Sequence, residues 1–441
     1  TTPGRVPAAG ESPDVRRFPP GFVFGAATAA FQIEGSTHVD GRTDSIWDAF
    51  ARIPGAVVGG DTGDPACDHY RRYRDDVKLM ADLGLQAYRF STSWSRVRPD
   101  GGTVNPAGLD FYSRLVDDLL EHGIQPWLTL YHWDLPQAIE GEGGWTARST
   151  AERFADYALS VHDVLGDRVR AWTTLNEPWC SAFVGYVSGE HAPGRQDPAA
   201  GVAAAHHLML GHGLAVGELR ARDASLSLGI TLNLSVVDPV DPDDAGDLEA
   251  VRRIDGQFNR IFLDPLFRGE YPADVLDDLA GSGLEDVIRP GDLSTISRPI
   301  DTLGVNYYHG EAVSAHPAEN ASNNAAPSVR PLRSPFVNAD SVHFHKRGLP
   351  VTAMDWEVQP EGLTRLLRRV HDEYTGPAGV ALAVTENGSA FADEVEPDGS
   401  IEDAERTRFL VDHLAATLDA IDQGIPVNGY FAWSLLDNFE W

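Results

Sequence analysis

The 441-residue chain is poor in cysteine and in long apolar runs. Cys67 and Cys180 are its only cysteines, too few to form a disulfide framework for a chain of this size. No uninterrupted apolar run approaches the roughly 20 residues of a membrane span. Residues 1–20 are rich in proline, glycine and alanine and lack the apolar centre of a secretory signal, so we expect a mobile leader. These features predict a cytoplasmic protein, and secretion after removal of a signal is the open alternative.

Positive charge is also scarce. The chain holds 35 Lys and Arg against 66 Asp and Glu, which gives a formal net charge of −31 at pH 7. Such a field repels nucleic acids and anionic membrane surfaces. It also opposes a phosphorylated substrate unless the site supplies its own cations. The composition therefore predicts a small-molecule partner rather than a nucleic acid or a membrane, and it leaves the oligomeric state open.

What the sequence has in abundance is an alternation of short β-branched or aromatic runs with longer segments of helical period. Eight runs predict strands, and they cover residues 22–28, 87–91, 126–133, 171–178, 227–234, 302–308, 381–388 and 427–434. No linker-like change of composition separates them. The pattern predicts an α/β fold, a single (β/α)8 TIM barrel spanning residues 21–441.

Two segments depart from this regular pattern. Residues 313–350 are rich in Ala, Asn, Pro and Ser, and a loop of this length after the sixth strand should lie over the mouth of the barrel. The chain also ends at Trp441, directly after the eighth strand. An eighth helix normally covers that strand, and its loss would expose an apolar face on the order of hundreds of Å². We therefore expect the natural chain to be longer and the final helix to be missing here.

Polar and aromatic residues collect where the predicted strands end. In a parallel barrel the reactive residues sit at the carboxyl ends of the strands. Sugar sites need such a mixture, because pyranose rings stack on indoles while the hydroxyls require directional polar partners. The candidates are Gln32, Arg89, His132, Trp133, Asn176, Glu177, Asn306, Tyr308, Glu386, Trp433, Glu440 and Trp441.

Two glutamates stand out among these residues. Glu177 lies in TLNEP and Glu386 in VTENG, each at the end of an apolar strand. Glycoside hydrolysis uses two carboxyl groups, one to protonate the leaving oxygen and one to attack the anomeric carbon or activate water. A single glutamate at a strand end would more often be a cap or a surface residue. Two of them, both flanked by asparagine and surrounded by aromatic strand ends, favour catalysis.

The motifs FQIEG, TLNEP, LGVNYY, VTENG and WSLLDNFEW occur in this order over almost the whole chain. Together with DGRTDSIWD, AYRFSTSWSR and YHWDLP they closely resemble family 1 of the glycoside hydrolases, the β-glucosidase family. The resemblance implies a retaining β-glycosidase that releases terminal non-reducing β-D-glucosyl residues from oligosaccharides, such as cellulose fragments, and from glycosides. It also implies a double displacement through a covalent glycosyl-enzyme, without a metal or cofactor.

The resemblance implies roles for individual residues. Glu177 is expected to be the general acid/base and Glu386 the nucleophile, with their carboxyl groups ~5–5.5 Å apart. Arg89 and Tyr308 are expected to keep Glu386 ionised. The expected substrate-binding residues are Gln32, His132, Trp133, Asn176, Asn306, Tyr308, Glu440 and Trp441, with Trp433 as a stacking floor and Trp356 on the leaving-group side.

The same resemblance limits the range of possible substrates. Glu440 is poorly suited to a 6-phosphorylated sugar because it would place like charges together. Thioglucosidase members lack the acid/base, whereas Glu177 is present, so an O-glycosidase is favoured. Cys180, close to Glu177 in sequence, is interpreted as a small buried residue rather than a reactive thiol. Preference among glucosides, galactosides and fucosides, aglycone specificity, and the balance between hydrolysis and transglycosylation stay open.

Other classes of function are less well supported. A non-catalytic carbohydrate-binding barrel would have lost a catalytic carboxylate, and both are present. His206, His207 and His212 lie on one predicted helix without the spacing of a zincin motif, and we expect core or interhelical histidines. The glycines beside them do not form a dinucleotide fingerprint. The sequence therefore predicts an enzyme that needs neither metal nor nucleotide.

Overall fold

The computed structural model describes residues 16–318 and 330–441. Eight parallel strands in this part of the chain close into a barrel, each beside the next in sequence, with the eighth beside the first. They are β1 (Val23–Ala27), β2 (Ala87–Ser91), β3 (Gln125–Tyr131), β4 (Ala171–Asn176), β5 (Ser227–Asn233), β6 (Thr302–Asn306), β7 (Ala381–Asn387) and β8 (Val427–Trp433). The predicted TIM barrel is confirmed.

Long helices connect the strands and cover the barrel. They are α1 (His69–Asp82), α2 (Pro106–Glu121), α3 (Arg148–Leu165), α4 (Pro198–Arg222), α5 (Ala245–Asp255), α6 (Pro360–Val370) and α7 (Ala404–Asp422). Each has an apolar side that packs inward; in α1, Tyr70, Tyr73, Val77 and Met80 are buried at helical spacing. Through the segment Gly256–Arg260, α5 continues into Ile261–Arg268.

Shorter helices occupy the connections. They are Ala30–Ile33, Ile46–Ala51, Val58–Gly60, Trp94–Val97, Pro99–Gly101, Gln137–Gly141, Gly144–Thr146, Cys180–Ser188, Ala273–Asp278, Leu284–Val287, Asp292–Ile296, His371–Thr375 and Gly376–Ala378. Several follow the carboxyl end of a strand directly, as Ala30–Ile33 and Trp94–Val97 do. They fix the path of the chain where the polar strand ends meet.

The most apolar of the long helices is α4. Among the described residues it alone has the length and composition of a membrane span, yet 89% of its most apolar window is buried inside the molecule. Its histidines face protein on several sides: His206 bonds to Tyr271 and Asp292, and His212 bonds to Thr174. The apolar composition of α4 is thus accounted for by its burial, and the expectation of interhelical histidines is confirmed.

A small three-stranded sheet lies beside the barrel. Its strands are Val237–Pro239, Glu311–Ser314 and His343–His345. The last two flank the long loop predicted over the mouth, of which residues 319–329 lie outside the described part. Within that loop the Phe336 ring lies 5.5 Å from the ring of Trp179, just past the end of β4. This part of the loop therefore lies at the carboxyl ends of the strands, as expected.

The segment before β1 is held against the barrel from Arg16 onward. Arg16 forms ion pairs of 2.7 and 2.6 Å with Asp419 and Asp422 of α7. The Phe18 ring lies 4.4 Å from that of Phe22 at the start of the barrel. The rest of the predicted leader, residues 1–15, lies outside the described residues. Its mobility, and the expectation of a longer natural chain, stay predictions.

A buried ion pair joins the connections after β1 and β2. The Nε atom of Arg96 lies 2.9 Å from Oε2 of Glu34, and both side chains are almost completely removed from solvent. Oε1 of the same carboxylate accepts a 2.5 Å hydrogen bond from the Tyr112 hydroxyl. The Arg96 guanidinium also lies 4.2 Å from the centre of the Tyr70 ring. Because neither charge is hydrated, each depends on its partner.

Replacing Arg96 should therefore destabilise the barrel. We expect Arg96→Met to lower the free energy of unfolding by about 3–5 kcal/mol, because it leaves Glu34 buried without a counter-charge. The matched control is Lys78→Met on α1, whose partner Asp82 is exposed, and its expected loss is below about 1 kcal/mol. Guanidinium chloride unfolding measures both values. Equal losses in the two variants would show that the buried pair contributes no more than a surface pair.

Candidate active site

The carboxyl ends of four strands bring the central polar residues together inside the barrel. Arg89 is in β2, Asn176 ends β4 with Glu177 following it, Asn306 ends β6, and Glu386 is in β7. All are buried: Arg89 has no exposed surface, and Glu386 and Glu177 are 3% and 5% exposed. Parallel strands bring their carboxyl ends to one side of a barrel, so side chains far apart in sequence meet there.

An irregularity in strand pairing changes the direction of the chain beside each glutamate. Between β7 and β6, Val384 pairs with Val305 but Glu386 pairs with Asn306, so β7 holds one extra residue at this point. A similar register shift lies between Thr173 and Asn176, where β4 pairs with β5. Bulges of this kind turn a side chain toward a site and are common beside active sites.

Both oxygens of the Glu386 carboxylate accept hydrogen bonds. Nη1 of Arg89 donates to Oε1 at 2.7 Å, and the Tyr308 hydroxyl donates to Oε2 at 2.8 Å. Burial, followed by the charge of Glu386, raises the pKa of Tyr308 well above its usual range, so the phenol keeps its proton and remains a donor. The two contacts expected for Glu386 are present. They hold the carboxylate in one orientation and stabilise its charge.

The amide of Asn176 links this carboxylate to the rest of the site. Its Oδ1 accepts from Nη2 of Arg89 at 2.7 Å and from Nδ2 of Asn306 at 3.1 Å. The same Nδ2 of Asn306 lies 2.7 Å from Oε1 of Glu177. The orientation of Asn306 is set by Thr385, whose hydroxyl donates to Oδ1 of Asn306 at 2.7 Å. Hydrogen bonds therefore run without a break from Glu386 to Glu177.

The Glu177 carboxyl has a different environment. Burial is the largest cause that raises its pKa to about 8, and the negative charge of Glu386 is the next; hydrogen bonds from Asn306 and Cys180 oppose them. With a pKa of about 8, Glu177 holds a proton at neutral pH, as a general acid must. Its backbone φ is 49°, a left-handed value that is costly for a residue with a side chain.

His132 and Gln32 supply polar atoms on one side of this network. Burial lowers the pKa of His132 well below its usual range, so the imidazole is neutral. Nδ2 of Asn176 lies 3.0 Å from Nε2 of His132, which must accept, so the proton is on Nδ1. That Nδ1 and Oε1 of Gln32 have no partner among the described residues. They are a free donor and a free acceptor, as sugar hydroxyls require.

The segment after β8 closes this side of the mouth. Nε2 of Gln32 donates to the Phe439 carbonyl at 2.8 Å and to Oδ1 of Asn438 at 3.0 Å, which positions the adjacent Glu440. Burial of the carboxyl group within the pocket raises the pKa of Glu440, and the negative charge of Glu386 raises it further. The residue as a whole still has surface that is exposed to solvent. Trp433 lies beside them, its ring 5.6 Å from that of His132.

The remaining predicted binding residues are aromatic. Trp133 is 7% exposed and donates its indole N–H to the Asn176 carbonyl at 2.9 Å. Its ring lies 4.6 Å from that of Trp441, which also packs 4.4 Å from Trp47. Trp356 is half-buried and lies elsewhere, 5.5 Å from the Tyr308 ring. The structure thus brings Trp133, Trp433 and Trp441 together and sets Trp356 apart, near Tyr308.

Sequence reasoning missed two residues of this network, Thr385 and Asn233, and gave a third, Cys180, no contact with Glu177. Thr385 orients Asn306, while Cys180 and Asn233 contact the Glu177 side of the site. Asn233 ends β5 and could have been selected by the same strand-end rule as the others. Cys180 follows Glu177 by three residues, the spacing of neighbours on a helix. It is half-buried and touches the acid/base carboxyl, so its interpretation as a merely buried residue was incomplete.

One group of side chains in the described part of the chain has metal-ligand geometry. Asp244, Asp247 and His316 bring one ligand atom each to within 4.8 Å of one another. Asp247 already accepts from the backbone N–H groups of Asp241 and Ala315 and from the Ser314 hydroxyl. These bonds account for the cluster, because they connect Asp247 of α5 both to Asp241 in the preceding turn and to the end of the strand Glu311–Ser314 in the small sheet. It has no contact with the two glutamates.

Known proteins resemble this chain over nearly its full length. It matches Glycosyl hydrolase family 1 over residues 15–441. Thermostable beta-glucosidase B from Thermobispora bispora is 51% identical over 96% of this chain and 84% of that protein. A bifunctional beta-D-glucosidase/beta-D-fucosidase from Bifidobacterium breve is 47% identical over 96% of this chain and 91% of that protein.

Solved structures agree with these sequence relationships. The psychrophilic beta-glucosidase BglU from Micrococcus antarcticus has a TM-score of 0.94 and 56% identity, covering 96% of this chain and 90% of its own. The family 1 b-glucosidase from Thermotoga maritima has a TM-score of 0.88 and 43% identity, with coverage of 97% and 91%. The predicted family is therefore confirmed: the chain belongs to glycosyl hydrolase family 1.

Proposed function

We propose that this enzyme is a retaining β-glucosidase in which Glu386 is the nucleophile and Glu177 the general acid/base. The observation that carries the assignment is the contrast between two buried carboxyl groups joined by one hydrogen-bond network. Arg89 and Tyr308 donate to Glu386, whereas the pKa of Glu177 is raised to about 8. The names of the relatives, which include beta-glucosidases from several bacteria, support a terminal β-D-glucosyl residue as the substrate.

The first chemical step forms the glycosyl-enzyme. A carboxylate oxygen of Glu386 attacks the anomeric carbon, and the bond from that carbon to the leaving oxygen breaks as Glu177 transfers its proton to this oxygen. The product alcohol departs, and the sugar is attached to Glu386 with α configuration. Arg89 and Tyr308 hold the attacking group in place while its charge is consumed.

The second step reverses the roles. Glu177 now takes a proton from a water molecule whose oxygen attacks the anomeric carbon, and the Glu386 carboxylate leaves. The negative charge of Glu386 is absent in the ester, so one of the two main causes of the raised pKa of Glu177 is removed. The pKa of Glu177 falls and its carboxylate can act as a base. Two inversions give a β-configured product.

The residues around the network supply the sugar contacts in this proposal. His132 offers an N–H, Gln32 a carbonyl oxygen and Glu440 a carboxyl group to the hydroxyls of the non-reducing sugar. Trp433 provides the stacking surface and Asn176 faces the 2-hydroxyl, where a hydrogen bond strengthens in the transition state. Trp356 lies near Tyr308 and serves the leaving-group side. Oligosaccharides and aryl glycosides with β-linked glucose fit this arrangement.

A panel of nitrophenyl β-glucoside, β-galactoside and β-fucoside tests the function and the nucleophile together. We expect the wild type to hydrolyse the glucoside and Glu386→Ala to lose roughly four orders of magnitude in kcat or more, since no other group can form the ester. The matched control is Glu142→Ala, an exposed glutamate paired with Arg153, which should retain activity. Equal activity of Glu386→Ala and wild type would refute the assignment.

Azide rescue separates the two glutamates. In Glu386→Gly, azide can enter the space of the lost carboxylate and attack the activated glycoside directly. A single displacement from that face gives an α-glycosyl azide, which NMR of the isolated product identifies. A β-glycosyl azide from this variant would instead show that Glu386 had acted as the acid/base.

Glu177→Gln should produce a loss that depends on the leaving group. For phenyl β-glucoside, whose leaving group needs a proton, we expect kcat/KM to fall by roughly 10²–10⁴-fold. For 2,4-dinitrophenyl β-glucoside, whose leaving group departs as an anion, the fall should be much smaller. The variant should also lose the decline in kcat/KM that the wild type shows as pH rises through about 8. A loss of equal size for both substrates would argue against proton donation by Glu177.

Glu440 should exclude 6-phosphorylated glucosides. Above pH about 7, where Glu440 is ionised, a phosphate about 4 Å from this carboxylate meets a repulsion of about 4 kcal/mol. We therefore expect kcat/KM for nitrophenyl 6-phospho-β-glucoside at such a pH to be about 10²–10³-fold below that for the unphosphorylated compound. Glu440→Gln should narrow this ratio, because it removes the like charge and keeps the shape. If the ratio were the same in both proteins, Glu440 would not be the source of the selectivity.

A further inference from the structure

The acid/base carboxyl has a second polar neighbour besides Asn306. Sγ of Cys180 lies 3.3 Å from Oε2 of Glu177, while Nδ2 of Asn306 contacts Oε1. The sulfur is itself held: Nδ2 of Asn233, the last residue of β5, lies 3.6 Å from it. Cys180, at the start of the helix after β4, thus contacts the oxygen of Glu177 that Asn306 leaves uncontacted, and Asn233 contacts the sulfur.

We propose that Cys180, oriented by Asn233, is a positioning residue for the general acid/base: its thiol donates to Oε2 of Glu177, the oxygen from which the proton is transferred, and stabilises the carboxylate once the proton has left. The inference rests on the function proposed for Glu177 and adds a residue to it. Cys180 touches neither sugar atom nor nucleophile in this role and acts only through Glu177.

The donor and acceptor chemistry of the four groups favours this arrangement. The amide nitrogen of Asn306 can only donate, so Oε1 of Glu177 is used as an acceptor and the proton is favoured on Oε2. The amide nitrogen of Asn233 donates to the sulfur, which leaves the S–H of Cys180 to point toward Glu177. Sulfur is a weak acceptor as well as a weak donor. Because the S–H lies between sulfur and Oε2, the proton on Oε2 does not bond to the sulfur and remains free to be transferred.

The thiol remains protonated throughout. Burial, followed by the charge of Glu177, raises the pKa of Cys180 well above its usual range. A thiolate beside Glu177 would also reverse the interaction, because it could only repel the carboxylate. Cys180 is a free cysteine, as is Cys67. These observations argue for an S–H donor and against a sulfur nucleophile.

Several titratable or charged groups act on this part of the site. Glu386 of β7 and Arg89 of β2 both affect Glu177, and Tyr308 after β6 lies close to both carboxyl groups. Glu190 acts on the Cys180 thiol. Arg89 and Tyr308 both bond to Glu386, so changing any of the three disturbs the proposed nucleophile. Cys180 contacts Glu177 without touching Glu386, so its replacement reports on the acid/base alone.

The test is the pH dependence of kcat/KM for phenyl β-glucoside. This dependence reports the ionisations of the free enzyme. Cys180→Ala removes a donor to the charged form of Glu177, so the decline at alkaline pH should move upward by roughly 0.3–1 pH unit. Cys180→Ser keeps a hydroxyl donor and should leave the decline at or below its wild-type position. Asn233→Ala should move it upward by less than Cys180→Ala, because the thiol remains but is no longer oriented.

A second substrate distinguishes an effect of Cys180 on the Glu177 proton from an effect of Cys180 on side-chain packing. With 2,4-dinitrophenyl β-glucoside, whose departure needs no proton, we expect Cys180→Ala to retain wild-type kcat/KM within about twofold. Cys67→Ala is the matched control, because it removes the other thiol, and its alkaline decline should coincide with that of the wild type. Cys180→Ser and Asn233→Ala keep the proposal testable if Cys180→Ala does not fold.

Three results would overturn the proposal. The first is an alkaline decline that coincides in the wild type, Cys180→Ala and Asn233→Ala. The second is an equal displacement of the decline in Cys180→Ala and Cys180→Ser, and the third is an equal loss of kcat/KM with both substrates; either would show that only the volume of the side chain matters. Failure of the proposed function itself looks different, because the wild type would then show no β-glucoside turnover or no dependence on Glu177.

Discussion

The buried guanidinium of Arg89 is the constraint on which the rest of the site depends. It sits in β2 with no exposed surface, and a cation in that position is tolerable only beside a counter-charge. Nη1 bonds to Glu386 and Nη2 bonds to Asn176. Through Asn176 and Asn306 the network reaches Glu177. Closing the barrel therefore fixes the positions of both carboxyl groups relative to a single charge, before any substrate is bound.

Two identical side chains acquire different chemistry within this network. Glu386 has a cation and a phenol hydroxyl as donors, whereas Glu177 has lost water and faces a negative charge. The difference is coupled, because the charge of one carboxylate is a cause of the proton on the other. In the proposed mechanism, esterification of Glu386 removes that cause and lowers the pKa of Glu177, so that its carboxylate can act as a base in the second step.

Around this network, the proposed contacts with the sugar and with the leaving group come from the connections as well as from strand ends such as Asn176 of β4 and Trp433 of β8. Gln32 binds the segment that carries Glu440, so the first and last parts of the barrel are joined at the sugar side. Trp356 and the long loop that carries Phe336 lie on other sides of the mouth. In our proposal, proton transfer also depends on Cys180, which contacts Glu177, and on Asn233, which contacts Cys180. Substrate preference can vary in these connections while the buried network stays intact.

The sequence by itself determined the barrel, its eight strands and the identity of the two glutamates, because strand period, strand ends and local motifs are short-range features. It also indicated Arg89 and Tyr308 as partners of Glu386, through resemblance to a family. Only the tertiary structure decided how these residues touch. Arg89 and Glu386 are separated by 297 positions and Cys180 and Asn233 by 53, and the bulge beside Glu386 is set by pairing with β6. Such contacts, and the burial that puts a proton on Glu177, exist only after the barrel has closed, because no local pattern encodes them.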